Sequence, residues 1–107
     1  MFKRICDQTY RQLLDGVQLG TLVHGEKTLM ARFKLAGGSA LPLHRHPHEQ
    51  AGCLLSGRIV ITIDGTDHEA GPGDSWCVAA DVPHAARAIE DAEVLEVFSP
   101  VREDYLA

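Results

Sequence analysis

The sequence lacks any apolar run near the ~20 residues that a membrane-spanning helix needs, and Met1 to Tyr10 hold no long apolar stretch of the secretory kind. The expected location is the cytoplasm, with no membrane partner. Cysteine is scarce. Cys6, Cys53 and Cys77 are odd in number and widely spaced, which fits neither a disulfide framework nor a paired-cysteine zinc knuckle, so they read as reduced thiols. Basic residues are few and scattered, and a net charge of -5 excludes the basic stripe that grips phosphate backbones; no nucleic acid partner is expected. A small acidic ligand stays open, because one or two Arg side chains bind a carboxylate whatever the total charge. Extended helical periodicity is also missing. Only Asp7 to Leu14 could form a helix, and it reads equally as an irregular lead-in or a strand. There is no internal repeat, linker or low-complexity segment.

What is present is the rhythm of an all-β protein. With 107 residues there is room for one core, so a single domain over 1–107 is expected. Ten Gly and five Pro cut the chain into short segments rich in β-branched or alternating apolar residues: Thr28 to Leu35, Ala51 to Leu55, Arg58 to Ile63, Ser75 to Val78 and Val94 to Phe98. The breakers sit where hairpins need them, at Gly37-Gly38, Ser56-Gly57, Asp64-Gly65 and Gly71-Pro72-Gly73-Asp74, and Asp64-Gly65 is the strongest single hairpin signal. Many short, evenly spaced, mostly antiparallel strands point to a sandwich or small barrel.

Chemistry concentrates in Leu43-His44-Arg45-His46-Pro47-His48-Glu49-Gln50. Side chains at i and i+2 of a strand share a face, so His44 and His46 can offer two imidazoles to one point. Pro47 starts a turn, after which Gln50 can aim its amide oxygen at the same place. Far along the chain, Asp81-Val82-Pro83-His84 adds a third imidazole behind a proline-fixed turn. Three His and one Gln, with room left for water or substrate, are a donor set for a divalent transition metal such as zinc, nickel, iron, manganese or cobalt. The alternative is that Gln50 is a structural amide and the ion is held by imidazoles alone. His48 and Glu49 read as turn residues, His24 and His68 as surface residues, and Trp76 as a barrel-wall aromatic with Cys77 as its buried neighbour.

The frame around these residues resembles the cupin superfamily. Gly38, His44-x-His46, Gln50 and Gly57 follow the spacing of its first motif, with Gln50 where Glu is usual. Gly65, Gly71-Pro-Gly73-Asp74 and Pro83-His84 resemble the second, although Gly71 replaces a Pro and no Asn follows His84. The resemblance implies a cupin-type double-stranded β-helix, a jelly-roll-like small barrel with its core over about residues 17–100.

A closer similarity, to the KdgF family of pectin-degradation cupins, rests on His46-Pro-His48-Glu49-Gln50, on Leu54-Leu-Ser-Gly57, and on the tail Val97-Phe98-Ser-Pro100-Val-Arg102-Glu103-Asp104-Tyr105-Leu106. It implies a His, His, Gln, His metal shell and ring opening of 4,5-unsaturated uronates, released from pectin or alginate, to a linear keto acid. Carried over by position, Phe98 and Arg102 match the catalytic partners of that family, and Glu96 stands where it has Asp. Cys53 stands where it commonly has Tyr, and by strand parity with Gln50 it should face away from the metal. The implied enzyme polarises a sugar oxygen with the ion, moves a proton with Glu96 and holds the uronate carboxylate with Arg102. Two alternatives keep the barrel: another metal-dependent enzyme such as a small-molecule dioxygenase, and a non-enzymatic module that binds a metal or a small acid. Small barrels with exposed edge strands tend to pair, so a homodimer is expected.

Overall fold

The computed structural model describes residues 1–106. Ten strands follow in order: β1 (Arg11–Leu14), β2 (Val17–His24), β3 (Leu29–Leu35), β4 (Ala40–His44), β5 (Glu49–Ser56), β6 (Ile59–Ile63), β7 (Thr66–Ala70), β8 (Ser75–Val78), β9 (His84–Ala88) and β10 (Ala92–Ser99). They form a six-stranded sheet, β1-β2-β3-β10-β5-β8, and a four-stranded sheet, β4-β9-β6-β7. Every pairing is antiparallel. The protein is thus all-β, and the two sheets pack into the small jelly-roll barrel that the strand rhythm anticipates. Only two single-turn 3-10 helices occur among the described residues, at Ile5–Asp7 and Glu103–Tyr105. The ambiguous stretch from Asp7 to Leu14 resolves into the end of the first of these turns and the edge strand β1. Among the described residues no helix is long and apolar enough to cross a membrane.

Alternation sets which side chains enter the barrel. On β3, Leu29, Ala31, Phe33 and Leu35 are buried and the residues between them are not. On β10 the buried set is Ala92, Val94, Glu96 and Phe98. Successive strand residues face opposite sides, so both strands turn one apolar row onto a shared core. Glu96 is the exception in its row, a carboxylate at a position where the pattern calls for an apolar residue. On β5 the inward set is Gln50, Gly52 and Leu54, and Cys53 lies on the other face, as its parity with Gln50 requires.

The β6–β7 hairpin confirms the Asp64-Gly65 signal. Both central residues have positive φ, 48° and 81°, the conformation of the tight turn whose twist matches antiparallel strands. Asp tolerates this left-handed region and Gly enters it without steric cost. Gly65→Ala is therefore expected to lower stability by about 1 to 2 kcal/mol, and Asp64→Gly to change it by less, as read from denaturant midpoints at unchanged slope.

Candidate metal centre

Two elements of the small sheet bring the first pair of imidazoles together. His44 closes β4 and His84 opens β9, and the two are direct register partners. Their ring centroids lie 4.2 Å apart. His46 follows β4 in the loop toward β5, with its ring 4.9 Å from that of His84 and 5.6 Å from that of His44. The loop before β9 holds this arrangement from behind: the Asp81 amide donates to the His46 carbonyl at 2.8 Å, and the Asp64 amide donates to the Pro83 carbonyl at 2.9 Å. The nitrogen donors of His44, His46 and His84 all fall within 4.8 Å of one another.

The hydrogen bonds decide which nitrogen of each ring is available. Nδ1 of His44 donates to the Pro42 carbonyl at 2.7 Å, Nδ1 of His46 to the His48 carbonyl at 2.9 Å, and Nδ1 of His84 to the Val82 carbonyl at 2.8 Å. A carbonyl only accepts, so each Nδ1 carries the proton and each Nε2 keeps its lone pair in the neutral ring. His84 Nε2 is buried with no hydrogen-bond partner. His46 Nε2 lies 2.8 Å from Gln50 Oε1, a close approach of two acceptors once the ring proton is on Nδ1. A cation between the two lone pairs accounts for the amide oxygen, rather than the NH2, facing the ring, and donors ~2.1 Å from one ion at right angles stand ~3 Å apart. The residues therefore fit a divalent metal, with backbone carbonyls fixing the imidazole tautomers from outside. His48 contributes its carbonyl, and its ring lies 5.4 Å from that of His46.

Burial also favours the neutral rings. It holds the His46 and His84 imidazoles below the usual histidine range, and the Arg102 charge pushes both in the same direction. Neutral imidazole is the form that ligates.

Beside this cluster lies a cavity bounded by His44, His84, Gln50, Trp76, Glu96 and Arg102. Glu96 is almost wholly buried; desolvation pushes its carboxyl up to about 7, against the opposing influence of the Trp76 and Gln50 side chains. Trp76 Nε1 donates to Glu96 Oε1 at 3.0 Å, and Oε2 has no hydrogen bond. Arg102 enters from the tail after β10. Its Nε and Nη2 donate to the two carboxylate oxygens of Asp104 at 3.2 and 2.9 Å, and its guanidinium lies 4.0 Å from the Tyr105 ring centre and 5.2 Å from that of Phe98. The Asp104 side chain is mostly exposed while that of Arg102 is not. Asp104 thus takes the outer edge of the fork and leaves the remaining N–H groups for the cavity. The tail is pinned in turn: Arg11 Nη2 donates to the Asp104 carbonyl at 2.8 Å, and the Thr21 hydroxyl donates to the Tyr105 carbonyl.

The seven residues read from the sequence as metal ligands or catalytic partners therefore lie around one cluster and its adjoining cavity. His44, His46, Gln50 and His84 converge at one end, and Glu96, Phe98 and Arg102 face the same interior. His24 and His68 are exposed, as expected. One expectation fails. Cys77 is exposed rather than buried, because it alternates with the inward-facing Trp76 and Val78 and so lies on the outer face of the sheet. Sequence reasoning also missed what Trp76, Asp104 and Tyr105 do. Strand parity would have placed Trp76 inside with Val78, but nothing local links the tail residues to a cavity.

Comparison with known proteins agrees with this geometry. The family model described as "Cupin domain" matches residues 31–99. The pectin degradation protein KdgF of Dickeya dadantii is 27% identical over 105 residues, covering 95% of this chain and 96% of that one. Among solved structures, KdgF from a Halomonas species superposes with a TM-score of 0.94 at 26% identity, covering 99% of this chain and 98% of the other. An RmlC-like cupin from Shewanella frigidimarina reaches the same TM-score at 23% identity, over 98% and 95% of the two chains, a likeness of fold.

Removing one imidazole leaves two, which lose much of the affinity for a transition metal. His44→Ala and His84→Ala are expected to purify with less than a tenth of the wild-type metal content by elemental analysis, while the circular dichroism of the barrel is kept. Full occupancy in both variants would rule out this cluster as the metal centre.

Proposed function

The chain belongs to the cupin domain family, and from that premise we propose that it is a metal-dependent enzyme opening the ring of 4,5-unsaturated uronates, with His44, His46, Gln50 and His84 as ligands. The observation that carries this reading is one cavity lined by three kinds of group: convergent neutral imidazoles, a buried carboxyl with an oxygen that has no hydrogen bond, and the Arg102 side chain. Similarity to KdgF proteins along nearly the whole chain supports the substrate class.

When bound, the divalent ion supplies Lewis acidity toward a sugar oxygen, undiminished by any carboxylate ligand because Gln50 is neutral. The protein's own groups do the rest. Arg102 pairs with the uronate carboxylate and orients the ring, while the guanidinium lies beside the Phe98 and Tyr105 rings. In the ring opening, the C1 hydroxyl loses a proton and the bond from C1 to the ring oxygen breaks to leave an aldehyde. C4 of the resulting enolate then takes a proton, giving a ketone at C5. The change is an isomerisation: one proton moves and no atom is gained or lost. Glu96 is the group placed to carry that proton, since its carboxyl changes state near neutrality and offers one unbonded oxygen.

The dioxygenase alternative loses ground at Gln50, which leaves the shell without the carboxylate of the common two-His, one-carboxylate iron site. A purely binding module gives no reason to bury an ionisable carboxyl next to the ligands. The proposed setting is the cytoplasm, where three unpaired thiols stay reduced. The proposed assembly is a homodimer, favoured by the free edges β1 and β8 and by the exposed side chains of Met1, Phe2 and Ile5.

The test follows the ultraviolet absorbance of the conjugated double bond in 4,5-unsaturated galacturonate and mannuronate, against enzyme-free and metal-stripped controls. Metal-loaded protein is expected to exceed the spontaneous rate. Arg102→Ala should cost roughly ten- to hundredfold in kcat/KM, with Arg102→Lys between it and wild type, and Glu96→Gln should lower kcat more than it changes KM. A rate equal to that without enzyme on both sugars would remove this function and leave a metal-binding barrel.

A further inference from the structure

Glu96, Gly52 and Trp76 form one row across three neighbouring strands. Glu96 of β10 is the register partner of Gly52 of β5, and Gly52 is the register partner of Trp76 of β8. Adjacent strands are ~4.8 Å apart, so the bond from Trp76 Nε1 to Glu96 Oε1 must bridge about 10 Å of backbone spacing by passing over the middle strand. A side chain on that strand would block it. A Cβ at Gly52 would stand 2.5 Å from Glu96 Cδ and 2.6 Å from Oε1, and nearer still to Oε2. The backbone itself does not call for glycine, because Gly52 is not among the residues of positive φ. A glycine inside a strand costs about 0.5 to 1 kcal/mol relative to Ala, so the vacant Cβ position at Gly52 has to be accounted for by what fills it. What fills it is the carboxyl of Glu96.

We propose that Gly52 and Trp76 are positioning residues that set the working carboxyl of Glu96: the indole N–H holds Oε1, and the notch over Gly52 seats the head group with Oε2 deepest in it and without a hydrogen-bond partner. Length is part of the device. Aspartate at 96 would end one methylene short, about 1.5 Å, too far to keep a 3.0 Å bond to the indole. The kinetic consequence rests on the uronate reading, whereas the seat is a property of the barrel and is testable alone.

Trp76 is the only tryptophan in the chain, so its fluorescence reports the seat without background. Glu96→Asp and Gly52→Ala are each expected to change the emission maximum and yield from wild type, and the double variant to add nothing to the larger single effect. In the uronate assay, Trp76→Phe and Gly52→Ala should each lower kcat about tenfold with KM within twofold, at unchanged metal content. Emission unchanged in Glu96→Asp, or Trp76→Phe with wild-type kcat, overturns the proposal. If Gly52→Ala does not fold, those two variants still decide it. If wild type turns over neither sugar, the proposed function fails while the emission comparison still tests the seat.

Discussion

The register of β10 against β5 decides what faces what inside this barrel. Phe98 stands opposite Gln50, Glu96 opposite Gly52, and Val94 opposite Leu54. Because side chains alternate with a period of two, a slip of one residue would turn all of these outward and bring Leu95 and Val97 in. The carboxyl would then lie in solvent and the indole would have no acceptor. β10 is paired on both sides, to β3 over seven residues and to β5 along the other edge, and its buried partners include Leu29, Ala31, Phe33 and Leu35 on β3. That doubly bonded strand makes a slip expensive on two ladders at once.

The same register concentrates polar groups in an apolar interior. His46, Gln50, His84 and Glu96 are the buried polar residues, and burying such groups without partners costs on the order of 2 kcal/mol or more each. The structure offsets part of that cost on the outer side of each ring, where Nδ1 finds a backbone carbonyl, and at one oxygen of Glu96, where the indole N–H arrives. The inner atoms, His84 Nε2 and Glu96 Oε2, stay unmatched. Stability is given up at the atoms that face the cavity, the pattern of a site preorganised for something that binds there.

Much of this was legible in the sequence because the signals were local. His44-x-His46 reads as a chelating pair by strand parity alone, Asp64-Gly65 reads as a tight hairpin, and the five proposed strand segments lie within or within one residue of β3, β5, β6, β8 and β10. Two of the strands that escaped have compositions that hide them. β7, Thr66-Asp-His-Glu-Ala70, is exposed along almost its whole length and shows no alternation, and β4 carries Pro42, which an edge strand tolerates. Long-range facts were not legible either: that His44 faces His84 across a ladder, that Asp104 grips the outer edge of Arg102, or that Trp76 reaches past Gly52. Cys77 was misplaced because a neighbour of an inward-facing strand residue takes the opposite face, which here is the outer one. The metal donors and the Glu96, Phe98 and Arg102 set entered through motif spacing and family likeness, which carry three-dimensional information that composition does not.

β10 is one of the two central strands of the larger sheet, yet it is the last of the ten to be synthesised. A chain emerging from the ribosome holds β3 and β5 apart, with no hydrogen-bonded strand between them, until residues 92–99 are out. The hairpin of β2 and β3 can form early, but the sheet can close only by inserting β10 into a gap flanked by two open edges. During that interval both edges offer unpaired backbone to other nascent chains, and the Glu96 and Phe98 side of the cavity is still missing. Closure of the larger sheet therefore waits on β10, and slow translation of residues 92–99 would lengthen the period in which the barrel is most exposed to misassembly.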